Sequence, residues 1–204
     1  MGIKTFKVGA FETNTYLITK GDKAVIVDPG MDLLSILDEV RRYQIVAVLI
    51  THGHIDHMDG ISYIKAPIYV GKEDLENFTN LHNSLYKMTG LKPKYDVKEL
   101  QLVAVSDNEI INIDDFTFTV IHTPGHTAGS CCYRYYDNLF SGDTLFKNSI
   151  GRVDFPTGSM KNMKESLKKL VKLIPDNVVI YPGHDAKTTM KDEKKNNYYL
   201  SFWN

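Results

Sequence analysis

The chain has 204 residues, enough to bury a core without disulfide support. Lysine and arginine together number 24 and aspartate and glutamate 25, so the formal net charge of -1 argues against a protein built mainly to hold nucleic acid or an anionic membrane. Hydrophobic residues make up 43% and charged residues 24%, an ordinary globular balance, and no apolar run approaches the roughly 18 residues of a membrane span.

Strand and helix signals follow one another along the chain without a break in composition that would mark a linker. Short apolar or β-branched runs between turn residues predict strands at 6–8, 15–19, 23–27, 45–50, 67–70, 130–136, 138–141 and 178–181, with a β-rich region over 103–130. Helical spacing of apolar residues predicts helices at 33–40, 59–64, 73–88 and 159–173, before a largely apolar tail at 198–203.

The order of these elements indicates a fold class. Strands occur in runs as well as in alternation with helices, which favours two sheets packed face to face with helices outside over a doubly wound parallel sheet. The run 45–50 is apolar throughout, as in strands covered on both faces. The first seventeen residues hold no apolar signal core and no small-residue cleavage site, so we expect a cytoplasmic protein.

A histidine-rich loop follows the apolar strand and precedes a predicted helix. Its sequence, over residues 51–60, is T-H-G-H-I-D-H-M-D-G. His52 and His54 would point to different sides of a helix, but a tight loop around Gly53 lets both imidazoles converge. Asp56 and His57 supply further ligand groups a few residues on. Imidazole and carboxylate without thiolate suit Zn, Fe or Mn, so the loop predicts a metal site.

Three further candidates, His126, Asp143 and His184, each follow a predicted strand and are each preceded by glycine. Glycine lets a loop bring the next side chain close to a crowded centre. Five histidines and two aspartates are too many for one tetrahedral ion and fit two ions that share a bridging carboxylate. A hydroxide held between two metals is a strong nucleophile at neutral pH, and one metal can polarise a carbonyl under attack.

Other polar and aromatic residues have two interpretations. His122 lies on a strand face before Pro124, which favours a structural role. Asp28 either orients a ligand imidazole or is a plain turn residue. The aromatic residues of 73–95 either form a lid or pack in the core. Cys131 and Cys132 are adjacent, so we expect packing residues and no disulfide framework.

The motif T-H-x-H-x-D-H, together with His126, Asp143 and His184, resembles the metallo-β-lactamase superfamily. The resemblance extends over essentially the whole chain, from V-D-P-G at 27–30 to Leu200. Several motifs resemble, more narrowly, the short glyoxalase II-like (hydroxyacylglutathione hydrolase-like) branch. They are H-T-P-G-H-T at 122–127, S-G-D-T-L-F at 141–146, G-R at 151–152 and Y-P-G-H at 181–184.

The resemblance implies an α+β fold, a four-layer αββα sandwich with two metal ions at one edge. It assigns the first metal to His52, His54 and His126. It assigns the second metal to Asp56, His57 and His184, with Asp143 bridging and Asp56 also orienting the bridging hydroxide. The cofactors would be two divalent ions, zinc in first place and iron or manganese as alternatives. In β-lactam-cleaving members a cysteine commonly ligates the second metal, and here Asp143 takes that place, which counts against a lactamase.

The sequence also departs from full-length glyoxalase II. Those enzymes add a C-terminal helical domain that helps to grip glutathione, whereas this chain ends 20 residues after His184, so we expect one domain over 1–204 without it. Arg152 matches the family's basic residue nine positions after the bridging aspartate and is expected to bind substrate. Two glutathione-contacting tyrosines are replaced by Asp154 and Ala186, so coenzyme A or another small thiol could stand in for glutathione.

These features predict a dinuclear-metal hydrolase that cleaves thioesters of a small thiol, with S-lactoylglutathione as the type substrate. The alternative is a mononuclear-iron persulfide dioxygenase, which keeps most of these motifs. RNA processing and a non-catalytic metal-binding module rank lower, the first because of the near-neutral charge. We expect a small-molecule thioester as the partner, no nucleic acid and no membrane, and a monomer or homodimer.

Overall fold

The computed structural model describes residues 2–202 and contains two six-stranded sheets. The strands of the first sheet, which lie in chain order across it, are β1 (Gly2–Val8), β2 (Thr13–Lys20), β3 (Lys23–Val27), β4 (Gln44–Ile50), β5 (Ile68–Gly71) and β6 (Leu102–Val105). The pairs β1–β2 and β2–β3 are antiparallel, and the pairs from β3 to β6 are parallel, so the sheet is mixed.

The second sheet is built from the other half of the chain. Its strands and the small ribbon inserted among them are β7 (Ile110–Ile113), β8 (Phe116–His122), β9 (Cys131–Tyr135), β10 (Asn138–Gly142), the ribbon strands β11 (Leu145–Phe146) and β12 (Ser149–Ile150), β13 (Val179–Pro182) and β14 (Thr188–Thr189). The spatial order is β14-β13-β10-β9-β8-β7. Only β10 and β13 pair in parallel, so this sheet is mixed as well.

Helices connect the strands and cover the outer faces. They are α1 (Leu37–Val40), α2 (Ile55–Met58), α3 (Tyr86–Thr89), α4 (Met160–Leu173), α5 (Met190–Asn196) and α6 (Tyr198–Phe202), with 3-10 helices at Leu33–Ile36, Asp59–Tyr63, Lys72–Phe78 and Val97–Glu99. The predicted tail is helical up to Phe202, and Trp203 lies outside the described residues. Within the described part of the chain, no helix has the length and apolar character needed to cross a membrane.

Three separate hydrophobic clusters show how the layers pack. One cluster joins the inner faces of the two sheets, the second lies under the helices of the first sheet, and the third lies between α4 and the second sheet. Strand β4 contributes Ala47 and Leu49 to the first cluster and Val48 and Ile50 to the second, as expected of a strand covered on both faces. The predicted αββα sandwich, with two mixed sheets and helices outside, is confirmed.

The continuous helix predicted at 73–88 is wrong. The segment holds the 3-10 helix Lys72–Phe78, a series of turns and then the single turn of α3. The Asn80 side chain accepts hydrogen bonds from the backbone N–H groups of His82 and Asn83, a local pairing that competes with helix formation. Leu85 then adopts a left-handed conformation with φ of 67°, which no helix continues through.

Candidate metal centre

The seven predicted ligands converge at one edge of the sandwich, where loops leave the carboxyl ends of strands from both sheets. His52 and His54 follow β4, and Asp56 and His57 lie in α2. The second sheet supplies His126 from the loop after β8, Asp143 from the end of β10 and His184 from the end of β13. The ligand atoms form three groups, in each of which all atoms lie within 4.8 Å of one another. The groups are His52, His54 and His126; His52, His57 and Asp143; and Asp56, His57 and His184.

Asp143 faces the residues on both sides of the cluster. Its Oδ1 lies 3.4 Å from Nε2 of His57, and its Oδ2 lies 3.4 Å from Nε2 of His126 and 3.7 Å from Nε2 of His184. A glycine permits this approach, because a Cβ atom at Gly183 would lie only 2.1 Å from Asp143 Oδ1. The geometry is that of a carboxylate able to contact two ions at once.

Four buried polar atoms of the cluster have no hydrogen-bond partner among the described residues: Nε2 of His52, His54 and His57, and Oδ1 of Asp143. Burying such atoms without a partner is unfavourable, and native proteins rarely do so. All four belong to the convergent ligand set, so one cause, cation binding, accounts for them together. Imidazole nitrogens and carboxylate oxygens without thiolate suit Zn, Fe or Mn.

Hydrogen bonds to backbone carbonyls fix the rings of two of the histidines. Nδ1 of His126 lies 2.7 Å from the Arg152 carbonyl oxygen, and Nδ1 of His184 lies 3.1 Å from the Phe11 carbonyl oxygen. Since a carbonyl can only accept, each Nδ1 carries the proton and each Nε2 keeps a lone pair for a ligand bond.

Asp28 orients the imidazole of His57. Its Oδ2 lies 2.9 Å from His57 Nδ1 and accepts a 2.7 Å hydrogen bond from Oγ1 of Thr51, while its Oδ1 accepts a 2.8 Å bond from the Thr51 backbone N–H. The carboxyl is 1% exposed. Of the two interpretations from the sequence, the structure favours the orienting partner over the plain turn residue.

Burial and neighbouring charges set the pKa values of the cluster. Burial lowers the pKa of His52 and His54 well below the usual value, and neighbouring imidazoles add to the effect, so both rings are neutral as metal ligands require. Burial also acts to lower the pKa of His57, but the carboxylates of Asp56 and Asp143 outweigh it and raise that pKa. Burial alone would raise the pKa of Asp56, but the His57 imidazole lowers it well below its usual range.

The first two residues of β2 also hold the site, which the sequence did not reveal. Thr13 donates a 3.0 Å hydrogen bond from Oγ1 to Oδ2 of Asp56. The Asn14 side chain donates to the carbonyl oxygens of Pro182 and Asp185, both at 3.0 Å, and its backbone N–H donates to Gly183 at 2.7 Å. Threonine and asparagine at the start of a strand carry no functional signal, because only the packing of the two sheets brings this end of β2 to the His184 loop.

Asp74, in the segment predicted to be a helix, also supports the site without a signal in the sequence. Its carboxyl is buried and accepts three hydrogen bonds, from the backbone N–H groups of Gly53 and Gly129, both at 2.8 Å, and from Oγ1 of Thr127 at 2.7 Å. Gly53 separates two predicted ligands, and the other two donors follow His126 in its loop. Asp74 therefore joins two ligand-bearing loops, one from each sheet.

A cavity of about 310 Å³ opens beside the cluster. Its wall contains the predicted ligands His54, Asp56, His126, Asp143 and His184, together with Phe11, Ile55, Leu85, Met88, Thr89, Phe146, Ile150, Arg152 and Phe155. The cavity therefore combines ligand groups on one side with mainly apolar walls and one guanidinium group. A site of this kind can hold a small molecule whose reactive group faces the metal-binding residues.

The remaining sequence interpretations are resolved by packing. Phe78, Tyr86 and Tyr95 belong to the core cluster under the first sheet, so the lid interpretation does not apply to these aromatic residues. Nε2 of His122 donates a 2.9 Å hydrogen bond to the Ala128 carbonyl oxygen, which fits the structural role. His122 belongs to none of the ligand groups. Cys131 is buried in β9 as a packing residue, like its neighbour.

An αββα sandwich with a buried cluster of histidines and aspartates at its edge is typical of a class of metal-dependent proteins. The sequence model of the metallo-β-lactamase superfamily matches residues 8–184, and the chain belongs to that superfamily. It is 31% identical to the hydroxyacylglutathione hydrolase GloC of Haemophilus influenzae, over 98% of this chain and 99% of that protein. It is 32% identical to an uncharacterized protein of Aquifex aeolicus, over 95% of this chain and 94% of that protein.

Solved structures show the same similarity. The crystal structure of BLEG-1 B3 metallo-β-lactamase superposes with a TM-score of 0.88 at 31% identity and covers 98% of this chain and 100% of its own. The structure of TTHA1623 in a di-iron-bound form gives 0.81 at 28% identity, with 97% and 100% covered. The structure of ETHE1 from Myxococcus xanthus gives 0.76 at 25% identity, with 98% and 85% covered.

Proposed function

We propose that this protein is a dinuclear-metal hydrolase that cleaves thioesters of a small thiol. The observation that carries the proposal is the convergence of seven ligand side chains, with orphaned and buried ligand atoms, beside a cavity of about 310 Å³. The similarity to a hydroxyacylglutathione hydrolase over nearly the whole of both chains supports the substrate class.

We assign the ligand groups to two ions in the way that the sequence resemblance implies. The first ion would be held by His52, His54 and His126. The second would be held by Asp56, His57 and His184, with Asp143 shared between the two. When bound, two divalent ions would supply an activated water nucleophile and polarise the thioester carbonyl. Zinc is the first choice, and a di-iron form among the similar structures keeps iron as an alternative.

Asp56 is the proposed catalytic carboxylate. The Thr13 hydroxyl donates a hydrogen bond to its Oδ2 and holds it at the cavity wall. Its lowered pKa keeps it ionised at neutral pH, so it can accept a hydrogen bond from the attacking water and orient it. Because thiols ionise with a pKa of about 8.5, the leaving thiolate needs no strong general acid.

The cavity walls position the substrate. Phe11, Leu85 and Phe146 line the cavity and would shield the acyl group from water, which would strengthen every electrostatic interaction with the carbonyl. Arg152 lies at the mouth of the cavity with its side chain 63% exposed, where its guanidinium group would meet the thiol carrier.

Metal content and thioester hydrolysis together test the proposal. We expect close to two ions per chain by plasma mass spectrometry, on protein purified without a metal-chelating column, and hydrolysis of glutathione or coenzyme A thioesters. Asp56→Asn should reduce kcat at least 100-fold without loss of the fold, by analogy with the loss of a positioned acid or base. Asp38→Asn, which removes an exposed carboxylate on α1, is the matched control and should keep full activity.

Other results would overturn it. One iron per chain and no thioester hydrolysis would favour the mononuclear-iron persulfide dioxygenase. A β-lactam belongs in the substrate panel because BLEG-1 is named as a lactamase. Turnover of the β-lactam with no turnover of thioesters would contradict both the proposed substrate class and the argument from Asp143.

A further inference from the structure

Leu85 lies in the cavity wall with an unusual backbone conformation. Its φ is 67°, in the left-handed region that is unfavourable for leucine because Cβ approaches the following carbonyl oxygen. Aspartate and asparagine, which tolerate this region, hold most of the other left-handed non-glycine positions among the described residues. The Leu85 side chain also belongs to the core cluster under the first sheet. Core packing alone does not require a left-handed backbone, whereas such a conformation in the wall of a binding cavity points to a role in binding.

Two hydrogen bonds from the neighbouring residues hold Leu85 against α2, the helix that carries two of the predicted ligands. The Ser84 carbonyl oxygen accepts a 2.9 Å bond from the backbone N–H of Ile55, the first residue of α2. The Tyr86 hydroxyl donates a 2.8 Å bond to Oδ1 of Asp59, the residue that follows α2. Ser84 and Tyr86 are both fully buried. The backbone of Leu85 is therefore fixed on both sides, and its side chain cannot withdraw from the cavity without breaking one of these bonds.

The part of the wall that contains Leu85 is uncharged and suits an acyl group. Met88 and Thr89 continue it from the same segment. Arg152, the guanidinium group of the cavity, comes from the second sheet's side, where its carbonyl oxygen accepts the hydrogen bond from His126. With the thiol carrier at Arg152, as proposed above, the acyl group faces the wall of Leu85. Because this wall would act through its shape, the charge of the two proposed ions does not alter the limit that it sets.

We propose that Leu85 is a specificity-determining residue that limits the length of the acyl group and so favours thioesters of short acyl groups over those of medium-chain fatty acids. The whole cavity is about 310 Å³ and has to hold the sulfur atom and part of the thiol carrier as well. A chain of six carbons along this wall would meet a side chain that the flanking hydrogen bonds prevent from moving aside. The inference rests on the proposed function for its catalytic readout, and it narrows the substrate class on the acyl side alone.

Two thioesters that differ only in the length of the acyl chain test this. The kcat/KM of the metal-loaded enzyme is measured with S-propionylglutathione and S-hexanoylglutathione, and in parallel with the coenzyme A thioesters of the same two acids, so that the ratio does not depend on the carrier. A single methylene in a hydrophobic pocket changes kcat/KM by about tenfold or more. Leu85→Ala should therefore raise the ratio of the hexanoyl to the propionyl value at least about tenfold. An unchanged ratio with both carriers would overturn the inference.

Two further variants separate the side chain from the backbone and from the core. Leu85→Gly should give the same ratio as Leu85→Ala with a Tm at least as high, because glycine adopts the left-handed conformation freely. Leu33→Ala is the matched control, since Leu33 is fully buried in the same core cluster and does not line the cavity. It should lower the Tm and leave the ratio within about twofold. An equal rise in the ratio for Leu33→Ala would overturn the inference, because loosening of the core would then explain the effect.

A binding measurement separates this inference from the proposed function. S-propylglutathione and S-hexylglutathione, thioethers that have no thioester bond to hydrolyse, are titrated by calorimetry into the metal-loaded variants. Leu85→Ala should tighten the binding of the hexyl compound relative to the propyl compound about tenfold. That result supports the inference even if the wild-type protein hydrolyses no thioester, which would overturn only the proposed function. An unchanged relative affinity would overturn the role of Leu85.

Discussion

Replacing Asp74 with asparagine should weaken binding at the first of the two proposed metal sites more than at the second. The carboxylate joins Gly53, between His52 and His54, to the loop of His126 by three hydrogen bonds of 2.7 to 2.8 Å. Asparagine keeps one acceptor oxygen. If the asparagine oxygen takes the place of Oδ2, it can still accept hydrogen bonds from Gly53 and Thr127. The NH2 group then takes the place of Oδ1 and cannot accept the hydrogen bond from the Gly129 N–H.

The magnitude follows from that one unsatisfied donor. A buried N–H left without a partner costs about 1–3 kcal/mol, so the free energy of unfolding should fall by about 2 kcal/mol. For a chain of this size that corresponds to a fall in Tm of about 4–8 °C. Loss of an outer partner of ligand residues typically lowers metal affinity about 10- to 100-fold. The second group, on α2 and the His184 loop, makes none of these three bonds and should keep its affinity.

Chelator competition measures the two site affinities, and thermal unfolding of the metal-free protein measures stability. Asp38→Asn is again the control, since it makes the same chemical change on an exposed carboxylate. A fall in stability with both metal affinities unchanged would refute the reasoning, because Asp74 would then stabilise the fold without positioning the ligand loops. An equal loss at both sites would also refute it.

Three further predictions concern other parts of the molecule. Asp28→Asn should lower the affinity of the second metal site about tenfold, since it weakens the bond that orients His57, and metal content after dialysis will show it. The thiols of Cys131 and Cys132 in β9 are buried, and burial raises the pKa of Cys132 to about 11. The native protein at pH 8 should therefore not react with a thiol reagent, whereas the unfolded protein should show two reactive thiols per chain. Burial acts to raise the pKa of Asp107, but the hydrogen bond from Lys169 lowers it below the ordinary value of about 3.9. The Asp107–Lys169 pair therefore stabilises the fold at pH values above that ordinary pKa. Its contribution is lost as the pH falls through the lower pKa that Asp107 has in the folded state. Asp107→Asn should therefore cost less than about 1 kcal/mol at pH 7 and nothing in strong acid, as urea unfolding in the presence of a chelator will measure.

The sequence predicted the fold class and the residues that meet at the sheet edge because both depend on local patterns. Apolar runs mark strands, and a loop after a strand end carries its polar residues to the edge of the sheet. The THGHIDH motif after β4 and the glycine-preceded Asp143 and His184 satisfy that rule. Their convergence is seen in the structure, while the assignment of each residue to an ion stays a prediction.

The supporting residues could not be predicted, because their roles depend on contacts between distant segments. Thr13 reaches Asp56 across 43 positions of the chain, and Asn14 reaches Asp185 across 171. The spacing of 73–88 predicts a helix that contains Asp74, and the left-handed Leu85 that ends the pattern carries no signal in its residue type. Side chains that serve two loops at once become visible only when both loops are in place.

Each proposed ion would take ligands from both halves of the chain, and this has an energetic consequence. The first sheet supplies His52 to one group and His57 to another, and the second sheet completes those groups with His126 and Asp143. Without cations the cluster keeps unpaired nitrogen and oxygen atoms buried at the seam between the sheets, which opposes closure of that edge. Metal binding relieves this cost, so closure of the edge and occupancy of the site are linked equilibria. The hydrogen bonds from Asn14 to the Pro182 and Asp185 carbonyl oxygens also cross this seam and involve no charged group. They stabilise the closed edge whether or not metal is bound, so they can hold the His184 loop in place before the ions bind.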